Sequence, residues 1–217
     1  MNEFLFLFLA THVYYAMTFQ KEHVSWWDIF LVEFNTACLC GWTYWLCLDN
    51  DDMTLQWMYL PFLYAWADVW VYTVHRLFHS RRLFRYIHYI HHKRIYPQPY
   101  DAFYAHPLEN FLQNWCLVYL PTSVLQQLNV AGMLPLSRLS IFLMLASVMV
   151  SALTSHDTIL GKFHYLHHQF HHTNYGAAIH VMDRLFKTYS DLPILSPTPH
   201  IVGIPSPARD STQKWQT

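Results

Sequence analysis

Three runs of the chain set histidines at helical spacing: 68-DVWVYTVHRLFH-79, 88-HYIHH-92 and 164-HYLHHQFHHTNYG-176. At 100° per residue, Asp68, Tyr72, His75 and His79 fall within roughly 60° of one another on a single helix face. Two imidazoles one turn apart can hold one metal ion, which is the physical basis of helical HExxH zinc sites. Asp68 shares that face, where a carboxylate can orient a ligating imidazole through its second ring nitrogen. His88, His91 and His92 span an arc of about 100°. Two triplets of the third run do the same, either His164, His167 and His168 or His168, His171 and His172, and helix geometry does not choose between them.

A single such triplet fits interfacial histidines at headgroup level. Two triplets together with an HxxxH pair point to metal. Eight rings exceed the needs of one ion, since structural zinc takes four ligands and catalytic zinc three, so two ions are implied. Imidazole serves iron, zinc and copper alike, and the ligand type does not name the metal. The chain has no paired Glu-x-x-His set, so it is not a carboxylate di-iron bundle.

The elements that must position these rings are apolar. Hydrophobic residues make up 53% of the 217 residues and aromatics 18%, while charged residues reach only 12%, against the quarter usual in soluble domains. The net charge of −1 argues against a nucleic-acid binder. Cys38, Cys40, Cys47 and Cys116 form no CxxC pair and read as reduced, packed thiols. The N-terminus lacks a basic n-region and a cleavage site, so it reads as a first membrane segment or an interfacial helix.

Five apolar segments stand out: Phe4–Phe19, Ile29–Leu48, Met53–Val74, Leu108–Leu128 and Leu134–Leu153. A crossing helix needs roughly 20 residues, and the second and third, with one carboxylate each (Glu33 and Asp68), are the best spans. The last two, interrupted by Pro121 and Pro135 with Glu109 and Arg138 near their ends, read as a hairpin that does not fully cross. The stretch His75–Arg94 holds Arg76, Arg81, Arg82, Arg85, Lys93 and Arg94, which places it in the cytoplasm. Alternation brings His156–His172 back to the same side. The expected fold is all-α: a polytopic integral membrane protein of four to five apolar helices under a cytoplasmic, histidine-rich helical cap.

Taken in order, the motifs 68-DVWVYTVHRLFH-79, 88-HYIHH-92, 97-PQPYDAFYAHPLE-109, 156-HD-157, 164-HYLHHQFHHTNYG-176 and 183-DRLFKT-188 resemble the fatty acid hydroxylase / sterol desaturase superfamily of membrane di-iron oxygenases. The resemblance covers roughly Ala67 to Thr188. It implies N-terminal membrane helices over residues 1–66, a catalytic domain over 67–190 and a proline-rich tail over 191–217. It also implies two non-haem iron ions, replaceable by zinc in a purified protein, held by His75, His79, His88, His91, His92, His156, His164, His167 and His168. The ten residues from His164 to Asn174 match the family's spacing to its Asn-Tyr pair, which selects the first triplet and leaves His171 and His172 as surplus. His156 stands only eight residues before His164, closer than in the family, and His171 is the candidate to take its place. Asp68, Tyr72, His106, Asn174, His180 and Asp183 are further metal-proximal or supporting positions.

The implied activity is O2-dependent hydroxylation or desaturation of an unactivated C–H bond in a sterol or fatty acyl lipid. The lipid would enter from the bilayer past Trp57, Trp66 and Trp70. No flavin, haem or nicotinamide motif is visible, so electrons come from outside; the resemblance implies a cytochrome and an NAD(P)H-dependent reductase, for which Arg81–Arg94 offers a basic docking patch. The implied location is the endoplasmic reticulum membrane in a eukaryote and the inner membrane otherwise. Two competing readings are a non-redox membrane metal transporter or store, and a family member that keeps the fold without turnover.

Overall fold

The computed structural model describes residues 3–18, 24–128, 136–158, 162–176 and 179–194. Pro135 and the expected tail prolines Pro197, Pro199, Pro205 and Pro207 lie outside them. All regular structure among the described residues is helical. Helices α1 (Glu3–Thr18), α2 (Trp26–Leu46) and α3 (Leu60–Phe78) are followed by a short α4 (Arg81–Leu83) that runs into a π turn, Phe84–His88. Two 3-10 turns, His91–Lys93 and Pro99–Phe103, lead to α5 (Pro107–Asn110), a second π turn (Phe111–Trp115) and α6 (Cys116–Leu128). Then come α7 (Arg138–Ser155), α8 (Lys162–Phe170) and α9 (Val181–Leu185).

Local chemistry explains the main boundaries. Ser25 starts α2 with a capping box: its hydroxyl accepts from Asp28 N–H and the Asp28 carboxylate accepts from Ser25 N–H, both at 3.2 Å. The segment expected from Met53 becomes an α-helix only at Leu60, after a 3-10 turn over Trp57–Tyr59, with Pro61 in the first turn, where its missing N–H costs nothing. The preceding chain is held outside the helix, because Gln56 Oε1 accepts from Ser137 N–H at 2.8 Å just ahead of α7. Ser137 itself caps α7, accepting from Ser140 N–H at 3.1 Å. The run His88–His92 is not the α-helix that its spacing suggests: His88 ends a π turn, and His91 and His92 begin a 3-10 turn.

Helix α1 lies against α2 and α7, α2 also meets α6, and α3 packs on α6. The register of α3 is pinned by two indoles, with Trp66 Nε1 donating to Leu117 O and Trp70 Nε1 to Leu112 O, each at 3.0 Å. Val32, Leu39, Phe103, Val118 and Leu145 are fully buried between these elements. The outer faces of α1 and α2 are also apolar, with Leu5, Phe6, Val13, Phe30, Phe34 and Trp45 exposed. Helices apolar on every side are those of a large core or a membrane. Among the described residues, α7 is the one helix long and apolar enough by itself to cross a bilayer. Glu33, the carboxylate inside α2, pairs with His12 of α1.

Candidate metal centre

The ends of α3 and α7, the π turn, the 3-10 turns and α8 bring nine histidines into two adjacent groups. His75, His79, His88, His92 and His167 form one; His91, His156, His164 and His168 form the other. Within each group, one nitrogen per ring lies within 4.8 Å of all the others. The Nε2 atoms approach at 3.1 Å (His75 and His88), 3.0 Å (His79 and His88, His79 and His167) and 3.1 Å (His92 and His167). In the second group, His91 Nε2 lies 3.2 Å from His168, 3.3 Å from His164 and 3.4 Å from His156.

The opposite ring nitrogens show which face carries the proton. Nδ1 donates to Tyr175 O from His75 at 2.8 Å, to Tyr104 O from His91 at 3.2 Å and to Ala152 O from His156 at 2.8 Å. Likewise His167 donates to Thr173 O at 2.6 Å and His168 to Arg94 O at 3.1 Å, while His88 Nδ1 lies 2.7 Å from the Glu109 carboxyl. Carbonyl oxygens only accept, so the five rings that face them carry their proton on Nδ1 and turn an Nε2 lone pair inward, and His88, held by Glu109 through Nδ1, also turns Nε2 inward. Lone pairs facing one another at 3.0–3.4 Å repel unless a cation lies between them. Bonds of about 2.0–2.1 Å to a shared ion place neighbouring nitrogens about 2.8–3.4 Å apart, from right-angled to tetrahedral geometry. The donor set therefore fits a metal ion in each group.

Burial strengthens that preference. Desolvation, followed by the neighbouring rings, pushes His88, His91, His92, His164, His167 and His168 well below the usual histidine range. Burial also lowers His156 to about 4. Neutral imidazole is the form that binds metal.

The structure separates the remaining sequence candidates from these groups. Asp68, expected to orient a histidine, instead accepts from Met182 N–H at 2.8 Å through Oδ2. It lies two turns before His75, out of reach of that ring, and the Tyr175 carbonyl takes the role. Tyr72 accepts from Arg76 at 2.6 Å and stacks on Phe186. His106 caps α5, its Nδ1 accepting from Leu108 N–H at 3.1 Å. His171 lies with its ring centre 4.7 Å from that of His92 but in neither group, and His172 is exposed. The short connection after His156 does not keep it away, because it stands at the C-terminal cap of α7 beside His91.

A second tier fastens the loop after α8. Asp183 accepts from Tyr175 N–H at 2.9 Å, Gly176 N–H at 2.7 Å and the Thr188 hydroxyl at 2.8 Å, with His180 Nδ1 at 3.3 Å. Burial opposes its charge, but these donors hold the carboxyl below the usual range. Gly176 is required there, since a Cβ would stand 2.8 Å from Asp183 Oδ2. Asn174, at a positive φ of 57°, donates to Phe163 O at 3.1 Å and Ser190 O at 2.9 Å. On the other side, Asp28 of α2 receives Lys93 and Arg94 at 3.1 Å each, and Arg94 also pairs with Asp101. Asn35 Nδ2 donates to Phe103 O and Ala105 O, both at 2.9 Å. Lys93 and Arg94 of the basic stretch are thus engaged by the fold and Arg76 donates to Tyr72, while Arg81, Arg82 and Arg85 stand exposed.

Sequence reading missed Glu109 as the partner of His88, taking it for a charge at a span's end. A carboxylate in the HPLE run, next to an apolar segment, was the available signal.

A cavity of about 790 Å³ lies between α3, α6 and α7, and its wall includes His91, His156 and His164 but no member of the five-histidine group. Trp66 and Trp70 are not in its wall; Leu63, Ala67 and Val71 of the same helix are.

The fatty acid hydroxylase family model matches residues 60–188. The chain is 31% identical to methylsterol monooxygenase 1 of Danio rerio, covering 86% of this chain and 71% of that protein. It is 30% identical to a Delta(7)-sterol 5(6)-desaturase of Gibberella zeae over 65% of this chain and 40% of the desaturase. A fatty acid hydroxylase of Mycosarcoma maydis is 28% identical over 67% of this chain and 36% of its own length. The chain spans less than half the length of the sterol desaturases it matches. No solved structure matches.

Proposed function

The chain belongs to the fatty acid hydroxylase family, and on that premise we propose that it is a membrane-bound, O2-dependent oxidoreductase acting on a C–H bond of a lipid. The observation that carries this reading is the contact between the four-histidine group and a large, mainly apolar cavity. The cavity reaches the histidines along the apolar side chains of Leu63, Ala67, Val71 and Met144, which suit a hydrocarbon better than a hydrated ion.

The nine clustered histidines would hold two iron ions, which supply the electron transfer to O2 and the removal of hydrogen. The chain's own groups do the rest. His91, His156, His164 and His168 would hold the ion nearest the cavity, and three of these rings, His91, His156 and His164, stand in the cavity wall. Glu109 and the carbonyls of Tyr104, Tyr175, Thr173, Arg94 and Ala152 fix the ring tautomers and aim. The walls of α3, α6 and α7 bind the hydrocarbon and exclude water from the reacting bond. The apolar outer faces of α1, α2 and α7 support a chain embedded in the bilayer through several helices, with the histidine end and exposed Arg81, Arg82 and Arg85 on the cytoplasmic side. Those arginines are suited to an acidic cytochrome that relays electrons from an NAD(P)H-dependent reductase.

Lipid extracts from a host expressing the chain, compared with a His91→Ala control, test the reading. A species gaining one oxygen atom or losing two hydrogens is expected only with the unmodified chain. Purified protein should carry two irons and consume O2 when reduced; an iron-free, oxygen-inert protein sinks the proposal.

A further inference from the structure

The cavity is longer than the contact with the histidines requires, and its polarity is uneven. Leu60, Leu63, Ala67 and Val71 line it over about 16 Å of the α3 axis. A second wall carries Glu109, Asn110, Gln113 and Asn114 in sequence, a strip for which a plain hydrocarbon chain has no use. Two of these side chains satisfy each other: Asn114 Nδ2 donates to Asn110 Oδ1 at 2.8 Å, and Asn110 Nδ2 donates to Asn35 O at 3.1 Å. The other two do not. Gln113 Oε1 and Glu109 Oε2 are buried and accept no hydrogen bond. A buried polar atom without a partner is costly, and two of them on one wall of a ligand-sized cavity mark where a donor belongs.

The helix register places them along the cavity. Trp70 donates to Leu112 O, which sets Gln113 level with Trp70, five residues short of His75, while the cavity continues down α3 to Leu60. Glu109 is closer still, since its other oxygen holds His88. The two unpartnered acceptor-bearing side chains are thus towards the histidine end, while on the α7 wall the hydroxyls of Ser147, Thr154 and Ser155 donate to their own helix's carbonyls.

We infer that Gln113 binds the hydroxyl of a lipid alcohol, so that the substrate enters with its hydroxyl-bearing end towards the histidines and its hydrocarbon remainder along α3. An amide can both accept from and donate to a hydroxyl, which does the same in return. Glu109 Oε2 is a second unpartnered polar atom one turn closer to the site. The inference rests on the proposed reading that this cavity holds the lipid substrate, and it adds that oxidation falls near the hydroxyl and not at a remote methylene.

The test uses the full, iron-loaded chain in detergent micelles. Radiolabelled cholestanol is displaced by unlabelled cholestanol or by cholestane, the same skeleton without the hydroxyl. Wild type should prefer the alcohol by about tenfold. Gln113→Leu should bring the ratio close to one without changing bound iron or the affinity for cholestane, and Gln113→Asn, which keeps an amide, should restore part of it. Equal affinities in wild type, no binding of the alcohol, or an undiminished preference in Gln113→Leu each overturn the assignment. A chain that prefers the alcohol yet oxidises no lipid would sink the proposed reaction and leave the hydroxyl site standing.

Discussion

The five-histidine group takes two i, i+4 pairs, His75/His79 and His88/His92, from the first half of the chain and one ring, His167, from the second. The four-histidine group reverses this, with His156 and the pair His164/His168 from the second half and His91 from the first. Each HxxHH run therefore gives its outer two histidines to one group and its middle one to the other. On α8 the reason is angular: residues i and i+4 lie about 40° apart, while i+3 leans about 60° to the other side. The two groups also differ in surroundings. Three rings of the four-histidine group line the cavity and none of the five does, and the carboxylate-backed ring, His88, belongs to the five. The difference is a division by access, one group reaching the cavity wall and the other not.

Acid should erase the distinction altogether. The unfolded chain protonates histidine near 6.5, whereas burial holds the clustered rings well below that value and His156 at about 4. Above about 6.5 both states are neutral and the site contributes fully; as pH falls from there towards about 4, the unfolded chain takes up protons that the folded one refuses, and stability declines. Protons compete for the same Nε2 lone pairs, so both ions should be released over this window, as read by iron analysis after buffer exchange. A single-ligand change should separate the groups: His164→Ala is expected to lower iron from two to one per chain and abolish lipid product, and retention of two would break the division. Glu109→Gln should weaken one equivalent by about 10- to 100-fold and spare the other, giving a biphasic chelator titration. Gly176→Ala forces a Cβ against Asp183 and should cost about 1–3 kcal/mol, seen as a lower Tm with iron still at two. His172→Ala, altering an exposed ring, should change neither iron content nor product.

Much of this arrangement was legible because it depends on residue type and spacing. Eight of the nine clustered histidines stand out by spacing, His156 entered through the family resemblance, and the choice of His164 over His168 as the start of the last triplet came from the family's distance to Asn174. The partition into two groups was not legible, because it depends on the π and 3-10 turns that replace the expected helix at His88–His92. Nor were the ring anchors, since five of the six resolved Nδ1 partners are backbone carbonyls, which any residue supplies. Asp68 misled because sharing a helix face is not the same as being within reach. The start of α3 moved from Met53 to Leu60 because Gln56 is committed to Ser137.

The clamp from α2 carries a different consequence, for inheritance. Asp28 and Asn35 lie before the segment that the family model matches, yet they hold residues 93–105, whose carbonyls at Arg94 and Tyr104 aim His168 and His91. A chimera joining residues 60–188 of this chain to the leading helices of a relative would carry every clustered histidine and lose the grip on two of them. Breakpoints in natural or engineered recombination are therefore expected to avoid the junction at α3, and residues 28 and 35 should change together with the loop they hold.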